Sequence, residues 1–272
     1  MKKAAVYIGN DSYEHEQRYK TLIEDLSAKG FELYRVHAKE DIVQDTELLL
    51  SVGGDGTFLS AADLVAGYDL PVVGVNLGRL GFLSENRPED VAEDLQNGDY
   101  TLEDRSMLEV VDRDSLLPAE YRHALNEISV RRSGPSMLEI EVSVDGVMLP
   151  TYWADGLIIS TSSGSTAYSL SVGGPIVLPE AKVLIISPIA PHNLNVRPLV
   201  IPDTSKVTLR MSSRDDGFVY SADNRSVRMN PGTQLSVSLA QFSLKRVRLK
   251  RSNFINALTE KLFWGEDVRN IK

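Results

Sequence analysis

The period of the apolar pattern changes once along this chain, near Leu108, and that change constrains the fold more than any single residue does. Before it, short β-branched runs at residues 4–8, 31–36, 48–52 and 72–75 alternate with stretches of helical spacing. Tyr19, Leu22, Ile23 and Leu26 make one such apolar stripe, and residues 58–65 and 89–95 make two more. Gly30 follows the first helix as a stop, and Pro88 and Gly98 bracket the third, as helix termini prefer. Strand and helix in alternation imply a parallel sheet covered by helices. After Leu108 the alternation becomes strand-like, clearest over residues 138–144, which run into the turn pair Asp145-Gly146. Similar runs follow at residues 156–160, 207–211, 218–222 and 234–239. The end differs again, with Ser252 placed to cap a helix striped by Phe254, Ile255, Leu258, Leu262 and Phe263. The fold class expected is an α/β N-terminal domain with a parallel sheet and helices, followed by an all-β C-terminal domain. Their bounds are 1–103 and 104–249, and a final helix at 250–272 packs back on the first.

Composition narrows the partners. A formal net charge of −9 argues against a broad phosphate-tracking surface for nucleic acid, while leaving room for a small basic pocket that takes a phosphorylated metabolite. The chain has no cysteine, which excludes disulfides and thiolate-bound zinc, and its histidines at 15, 37, 123 and 192 lack metal-ligand spacing. The apolar run at 4–8 is too short for a secretory signal, and no run approaches the roughly 18 apolar residues that span a bilayer. No membrane partner and a cytoplasmic location are the expectations.

The segment that carries chemistry is Gly53-Gly54-Asp55-Gly56-Thr57, between the strand at 48–52 and the next helix. The carboxyl edge of a parallel sheet is where α/β folds bind ligands. Glycines there let amide hydrogens approach phosphate oxygens, and the helix start adds a favourable dipole. Asp55 would repel phosphate, so it needs a purpose: either to bind a metal bridging phosphates or to accept a proton from an attacking hydroxyl. An ordinary glycine turn is the plain alternative. No Walker A sequence, GxGxxG, HExxH or GxSxG competes. A second glycine-bearing segment, Gly74 to Phe82, follows the next strand and belongs on the same edge, where Phe82 either lines a pocket or plugs core. In the β half, Asn126-Glu127 and Ala154-Asp155-Gly156 place amide and carboxylate groups beside strands, suited to ribose hydroxyls or an amide. Around Gly164, hydroxyls cluster through Thr166, Ala167, Tyr168, Ser169, Leu170 and Ser171, where Tyr168 offers a face for adenine and a Ser/Thr capping turn is the alternative.

In order, GGDGTFLSAA, NLGRLGF, ALNE, ADGLIIS, GSTAYSLSVGGPI and RPLVIPD span positions 53 to 203 and resemble the NAD kinase family. The resemblance implies phosphorylation of the adenosine-ribose 2′-hydroxyl of NAD by ATP or polyphosphate, giving NADP, with NAD bound between the two domains. It implies that Asp55 is the general base, that Gly53, Gly54, Gly56 and Thr57 meet the donor's phosphates, and that Gly56 and Phe82 also line the NAD site. It further implies that Asn126 and Glu127 hold ribose hydroxyls, that Asp155 meets the nicotinamide side or a neighbouring subunit's ligand, and that residues 166–171 surround adenine and ribose. A divalent metal, usually Mg²⁺, and a homo-oligomer (dimer or tetramer) come with the family, although no metal ligand is assigned. Three places depart from its pattern: Ser162-Ser163 stands for Pro-Thr, Trp153 for arginine and Asp223-Asn224-Arg225 for Asp-Gly-Gln. Two other readings stay open. A GGDGT-type lipid kinase shares the first loop but should carry an apolar membrane-binding segment, and a non-catalytic NAD-binding sensor would bind NAD without making NADP.

Overall fold

The computed structural model describes residues 2–78, 81–113 and 117–263, so Arg79, Leu80 and the last nine residues of the expected C-terminal helix lie outside the described residues. The chain divides into two compact units: Met1–Asp104 with Leu244–Lys272, and Arg105–Ser243. The long strands β5 (Tyr100–Asp112) and β17 (Gln234–Leu249) carry the chain across that boundary.

The first unit alternates β1 (Lys2–Ile8), α1 (Gln17–Ala28), β2 (Phe31–Arg35), β3 (Leu48–Val52), α2 (Asp55–Leu64), β4 (Val72–Val75) and α3 (Pro88–Asn97), and it ends with α5 (Phe254–Leu262). The strands pair in parallel as β4-β3-β1-β2, and Arg246 of β17 joins beside β4. Every residue of β3 and β4 is buried, as expected for a parallel sheet covered on both faces. On one face Val6, Ile8, Leu50 and Val52 pack with Leu22 and Leu26 of α1 and Val91 and Leu95 of α3. Phe58 and Ala61 of α2 are buried as well. The helix stops behave as their residues require, since Gly30 (φ 86°) and Gly98 (φ 73°) take the left-handed conformation that a side chain disfavours.

The second unit holds β6 (His123–Ala124), β7 (Glu127–Arg132), β8 (Leu138–Val144), β9 (Val147–Met148), β10 (Tyr152–Ala154), β11 (Gly156–Thr161), α4 (Tyr168–Ser171), β12 (Val183–Ile189), β13 (Leu199–Pro202), β14 (Val207–Ser212), β15 (Phe218–Ala222) and β16 (Arg225–Met229). One antiparallel sheet runs β13-β12-β11-β7-β15-β16, and a second set runs β10-β8-β14-β17. Their inward residues, among them Ile128, Val130, Ile140, Val142, Ile159, Leu209 and Tyr220, share one core. Asp145 (φ 51°) and Gly146 (φ 83°) make the tight turn between β8 and β9. The unit is not purely β: residues 163–171 form a short 3₁₀ turn and the single turn of α4.

Two expectations about the C-terminal helix need correction. Asn253, not Ser252, caps α5, its side chain accepting from the Ile255 amide (2.8 Å), while the Ser252 hydroxyl donates to Asn86 (3.1 Å). The apolar stripe is also only partly buried, because Ala257 and Leu258 face inward whereas Ile255, Leu262 and Phe263 are exposed. Phe263 stands beyond the last turn in the left-handed region (φ 52°), so it leaves the helical spacing on which the stripe depends.

Candidate functional site

Gly53 to Thr57 lies where the strand order of the first sheet reverses: the chain leaves β1 toward β2 on one side and returns to β3 on the other. That crevice is the ligand position of open α/β sheets. Helix α2 starts at Asp55 itself with Gly54 as its cap, so the aspartate sits in the first turn, over amides that point out of the helix. The glycines are required by space as well as by conformation. Gly53 holds φ 150°, and a Cβ there or at Gly9 would overlap the Thr57 hydroxyl. Thr57 is therefore wedged between two glycines, which fixes the turn on its C-terminal side.

The Asp55 carboxylate reaches the second glycine segment. Its Oδ2 accepts from the Phe82 amide (2.8 Å), and its Oδ1 accepts from the amides of Leu83 (3.0 Å) and Ser84 (2.8 Å). A Cβ at Gly81 would overlap the same carboxylate, so only glycine fits before Phe82. The Ser84 hydroxyl donates back to the Gly54 carbonyl (3.2 Å), and Asn76 donates to the Ser84 carbonyl (3.3 Å). Behind this loop the buried Arg246 guanidinium donates to the Leu83 carbonyl (3.3 Å) and pairs with Glu85 and Glu103. The Phe82 ring is covered by α5, with Phe254 6.0 Å away and the Lys261 ammonium 4.6 Å from the ring centre. The structure thus brings Gly53–Thr57 and Phe82 together, with Asp55 as the link.

A second cluster forms in the β unit. Asn126 and Glu127 stand at the start of β7, and Asp223, in the turn after β15, holds them by their backbone. Its Oδ2 accepts from the Leu125 amide (2.8 Å), and its Oδ1 accepts from the amides of Asn126 (2.9 Å) and Glu127 (3.1 Å). The 162–164 turn packs against the same segment: Thr161 donates to the Leu125 carbonyl (2.7 Å), and a Cβ at Gly164 would overlap the Asn126 carbonyl. Two of the segment's oxygens are buried without a hydrogen-bond partner among the described residues, Asn126 Oδ1 and Glu127 Oε2. Unpaired buried oxygens are costly and mark where a donor from a ligand would be accepted. Burial raises both carboxyls. Three amide donors and Arg225 offset part of that rise at Asp223, which stays raised, while burial and then the Asp223 charge push Glu127 up to about 8 against one opposing donor, the Tyr168 amide. At neutral pH the proton of this pair resides on Glu127.

Other expected residues behave differently. Thr166, Ala167, Tyr168 and Leu170 are half-buried and Ser171 is exposed, but Ser169 is turned inward, its hydroxyl sharing a hydrogen bond with Ser187 (3.0 Å). What Ser169 offers is the turn, not a side-chain contact. Asp155 does not join the Asn126–Glu127 cluster. It sits at the far end of β7, its backbone carbonyl accepting from Arg132 and its carboxylate paired with that guanidinium (2.8 Å). Five residues of strand separate the two places, about 17 Å.

Comparison with known proteins decides the family. Residues 5–98 match the model of the ATP-NAD kinase N-terminal domain, and residues 125–249 match that of the C-terminal domain. The NAD kinase of Flavobacterium psychrophilum is 42% identical over 255 residues, covering 92% of this chain and 86% of that protein. The chain belongs to the NAD kinase family. The NAD kinase of Porphyromonas gingivalis (strain W83) is 36% identical across 99% of this chain and 100% of its own length. Among solved structures, an Archaeoglobus fulgidus NAD kinase in complex with ATP aligns with a TM-score of 0.80 at 27% identity, covering 96% of this chain and 98% of that one. Yeast NADH kinase complexed with NADH shares the fold, with a TM-score of 0.86 at 24% identity over 100% of this chain and 90% of its own. Set against these NAD kinase relatives, the lipid-kinase alternative is not sustained. Among the described residues no helix is long and apolar enough to cross a membrane.

Within this NAD kinase fold, sequence reasoning missed three residues. Asp223 was visible only as the matching first residue of a segment, Asp223-Asn224-Arg225, that otherwise departs from the family's Asp-Gly-Gln, Arg246 as one basic residue among several in β17, and Lys261 as part of a helix's polar face. At the departures themselves, Arg225 donates to the His123 carbonyl (2.7 Å), Trp153 is exposed, and the Ser162 hydroxyl donates to the Pro179 carbonyl (2.9 Å).

Proposed function

We propose that this protein transfers the γ-phosphoryl group of ATP to the adenosine-ribose 2′-hydroxyl of NAD, forming NADP and ADP. Family membership supplies the activity. The observation that carries the chemistry is the Asp55 carboxylate, fixed by three amides at the start of α2. A carboxylate has about four acceptor positions. Three are taken within the described residues, and the fourth is on Oδ2, which meets one amide where Oδ1 meets two. Oδ2 is therefore the oxygen assigned to take the 2′-hydroxyl proton as the 2′-oxygen bonds to the γ-phosphorus and the bond to the β–γ bridging oxygen breaks. The glycine loop and the α2 N-terminus would receive the donor's phosphates.

Asn126 and Glu127 are assigned to the ribose hydroxyls, because each leaves one buried oxygen unpaired and a ribose brings donors. Tyr168 and the 166–171 turn are assigned to adenine. Asp155, some distance along β7, is assigned to the nicotinamide end or to a neighbouring subunit's ligand. On this reading the α/β unit, proposed as residues 1–103 with the C-terminal helix, takes the donor, and the β-rich unit, 104–249, takes NAD.

Among the described residues no group of three or more His, Asp or Glu could hold a metal. Mg²⁺ suits the remaining chemistry even so, because it keeps several waters and binds through substrate phosphates with one or two carboxylates. Asp55 is the residue that would face it, and when bound it would neutralise phosphate charge. A cytoplasmic, homo-oligomeric enzyme completes the reading on family grounds.

The test is NADP formation by the purified protein from NAD, ATP and Mg²⁺, beside Asp55→Asn. Wild-type turnover that is lost in the variant supports the kinase and the base together. NAD binding without NADP formation from any triphosphate or polyphosphate would replace the enzyme with a sensor.

A further inference from the structure

Lys261 of α5 is a charged group that the proposed reaction has not used. Its ammonium is buried and has no hydrogen-bond partner among the described residues, and it lies over the Phe82 ring face, 4.6 Å from the centre. A cation on an aromatic face is stabilised, but the ring replaces none of its three N–H bonds to water. Glu85 and Asp55 attract it and Arg246 opposes it, yet Glu85 is already paired with Arg246 and Asp55 with the amides of 82–84. Burial accordingly lowers its pKa, the carboxylates recovering only part of the effect. A desolvated ammonium with three unspent donors, held beside the loop proposed to receive phosphate, is arranged for an anionic oxygen. Lys261 also lines a cavity of about 190 Å³ with Glu85, Arg87 and Asn253. Its flexible four-carbon stem gives the ammonium reach beyond the ring.

We propose that Lys261 binds a phosphoryl oxygen of the nucleotide substrate at the Asp55 loop, which makes the C-terminal helix part of the substrate site. This rests on the kinase reading. The shared chemistry is phosphate, which arrives both on the triphosphate donor and in the NAD pyrophosphate, and the position beside Asp55 favours the donor.

The experiment is steady-state NADP formation by Lys261→Gln and Lys261→Arg, with Lys250→Gln as a control for lost charge on an exposed residue of the same unit. A charge-assisted bond lost from a bound substrate should raise KM for ATP about 10- to 100-fold in Lys261→Gln, with KM for NAD within about twofold. Lys261→Arg should recover most of the loss. A rise in KM for NAD instead supports the phosphate site and moves it to the pyrophosphate. If neither KM changes while turnover persists, the proposal is overturned. Should the wild type make no NADP, inorganic tripolyphosphate titrated by calorimetry separates the two ideas: weaker binding by Lys261→Gln keeps the anion site without the kinase, and equal binding removes it. Lys261→Gln should fold, because it relieves a buried unpaired charge, and the melting temperature checks that.

Discussion

Two aspartates in this molecule use the same device. Asp55 and Asp223 each reach across to another part of the chain and accept three consecutive amides, one on Oδ2 and two on Oδ1, from residues 82–84 and 125–127 respectively. Their surroundings differ. Asp55 is half-buried, in the first turn of a helix behind a glycine loop, and the loop it holds carries Phe82. Asp223 is half-buried as well, in the turn after β15, and the segment it holds carries Asn126 and Glu127, whose side chains retain unpaired oxygens. Amide clamping orders a loop in both cases. Place in the fold separates them: Asp55 stands at a helix start behind a glycine loop and is assigned the chemistry, and Asp223 stands in a β turn and is assigned the positioning of its neighbours.

Exchanging each carboxylate for its amide separates the two roles. Asp55→Asn can still accept on one oxygen but loses the base, so turnover should fall about 10²–10⁴-fold. Its NH₂ would face the Phe82 amide, so the midpoint of urea unfolding should fall as well. Near-normal turnover would make Asp55 a loop clamp and nothing more. Asp223→Asn should lose stability in the same way, because its NH₂ would face the Leu125 amide, donor against donor, but it should keep more of the turnover. A loss of about 1–3 kcal/mol in unfolding free energy is expected from broken charge-assisted bonds in a part-buried site. If Asp223→Asn unfolds like the wild type while turnover collapses, the positioning role is wrong and Asp223 belongs to the chemistry.

Gly81→Ala sharpens the first half of the comparison, because it leaves the Asp55 carboxylate in place chemically and pushes it aside sterically. The added Cβ would overlap the carboxylate. Displacement of a reacting group by about an ångström costs on the order of 10² in rate, so kcat should fall by about that factor while the protein stays folded. Unchanged kcat would mean that the 82–84 loop does not set the position of the base.

Local chemistry was legible in the sequence and long-range clamping was not. Gly30, Gly98 and Asp145-Gly146 stop helices and turn strands through their own backbone preferences, so each could be placed from its immediate neighbours. The 138–144 strand shows the same economy, its inward Leu138, Ile140 and Val142 alternating with more exposed residues. The loop before α2 was readable for the same reason. Asp55, however, bonds residues 27 to 29 positions away and Asp223 bonds residues 96 to 98 away, separations that leave no periodic trace. The inward turn of Ser169 left no trace, because a hydroxyl in a Ser-rich turn reads the same whether it faces outward or Ser187. Lys261 was overlooked because lysine on an amphipathic helix reads as solvent-facing, and only the packing of α5 on Phe82 turns it inward.

The smallest expected effect tests where the proton sits in the second cluster. Burial, and then the charge of Asp223, push Glu127 up to about 8, far above a carboxyl in the unfolded chain. Between about pH 5 and pH 8 the folded protein therefore holds a proton that the unfolded chain has released. Raising the pH through that window draws the equilibrium toward the unfolded state, by at most about 1.4 kcal/mol per pH unit for one group. Glu127→Gln keeps the shape and cannot ionise, so urea midpoints at pH 5.5, 6.5 and 7.5 should fall in the wild type relative to the variant as pH rises. Asp223→Asn should flatten the same slope, since it removes the charge that holds the Glu127 proton. Parallel curves for wild type and Glu127→Gln would place the proton elsewhere, and with it the asymmetry between a charged Asp223 and a neutral Glu127.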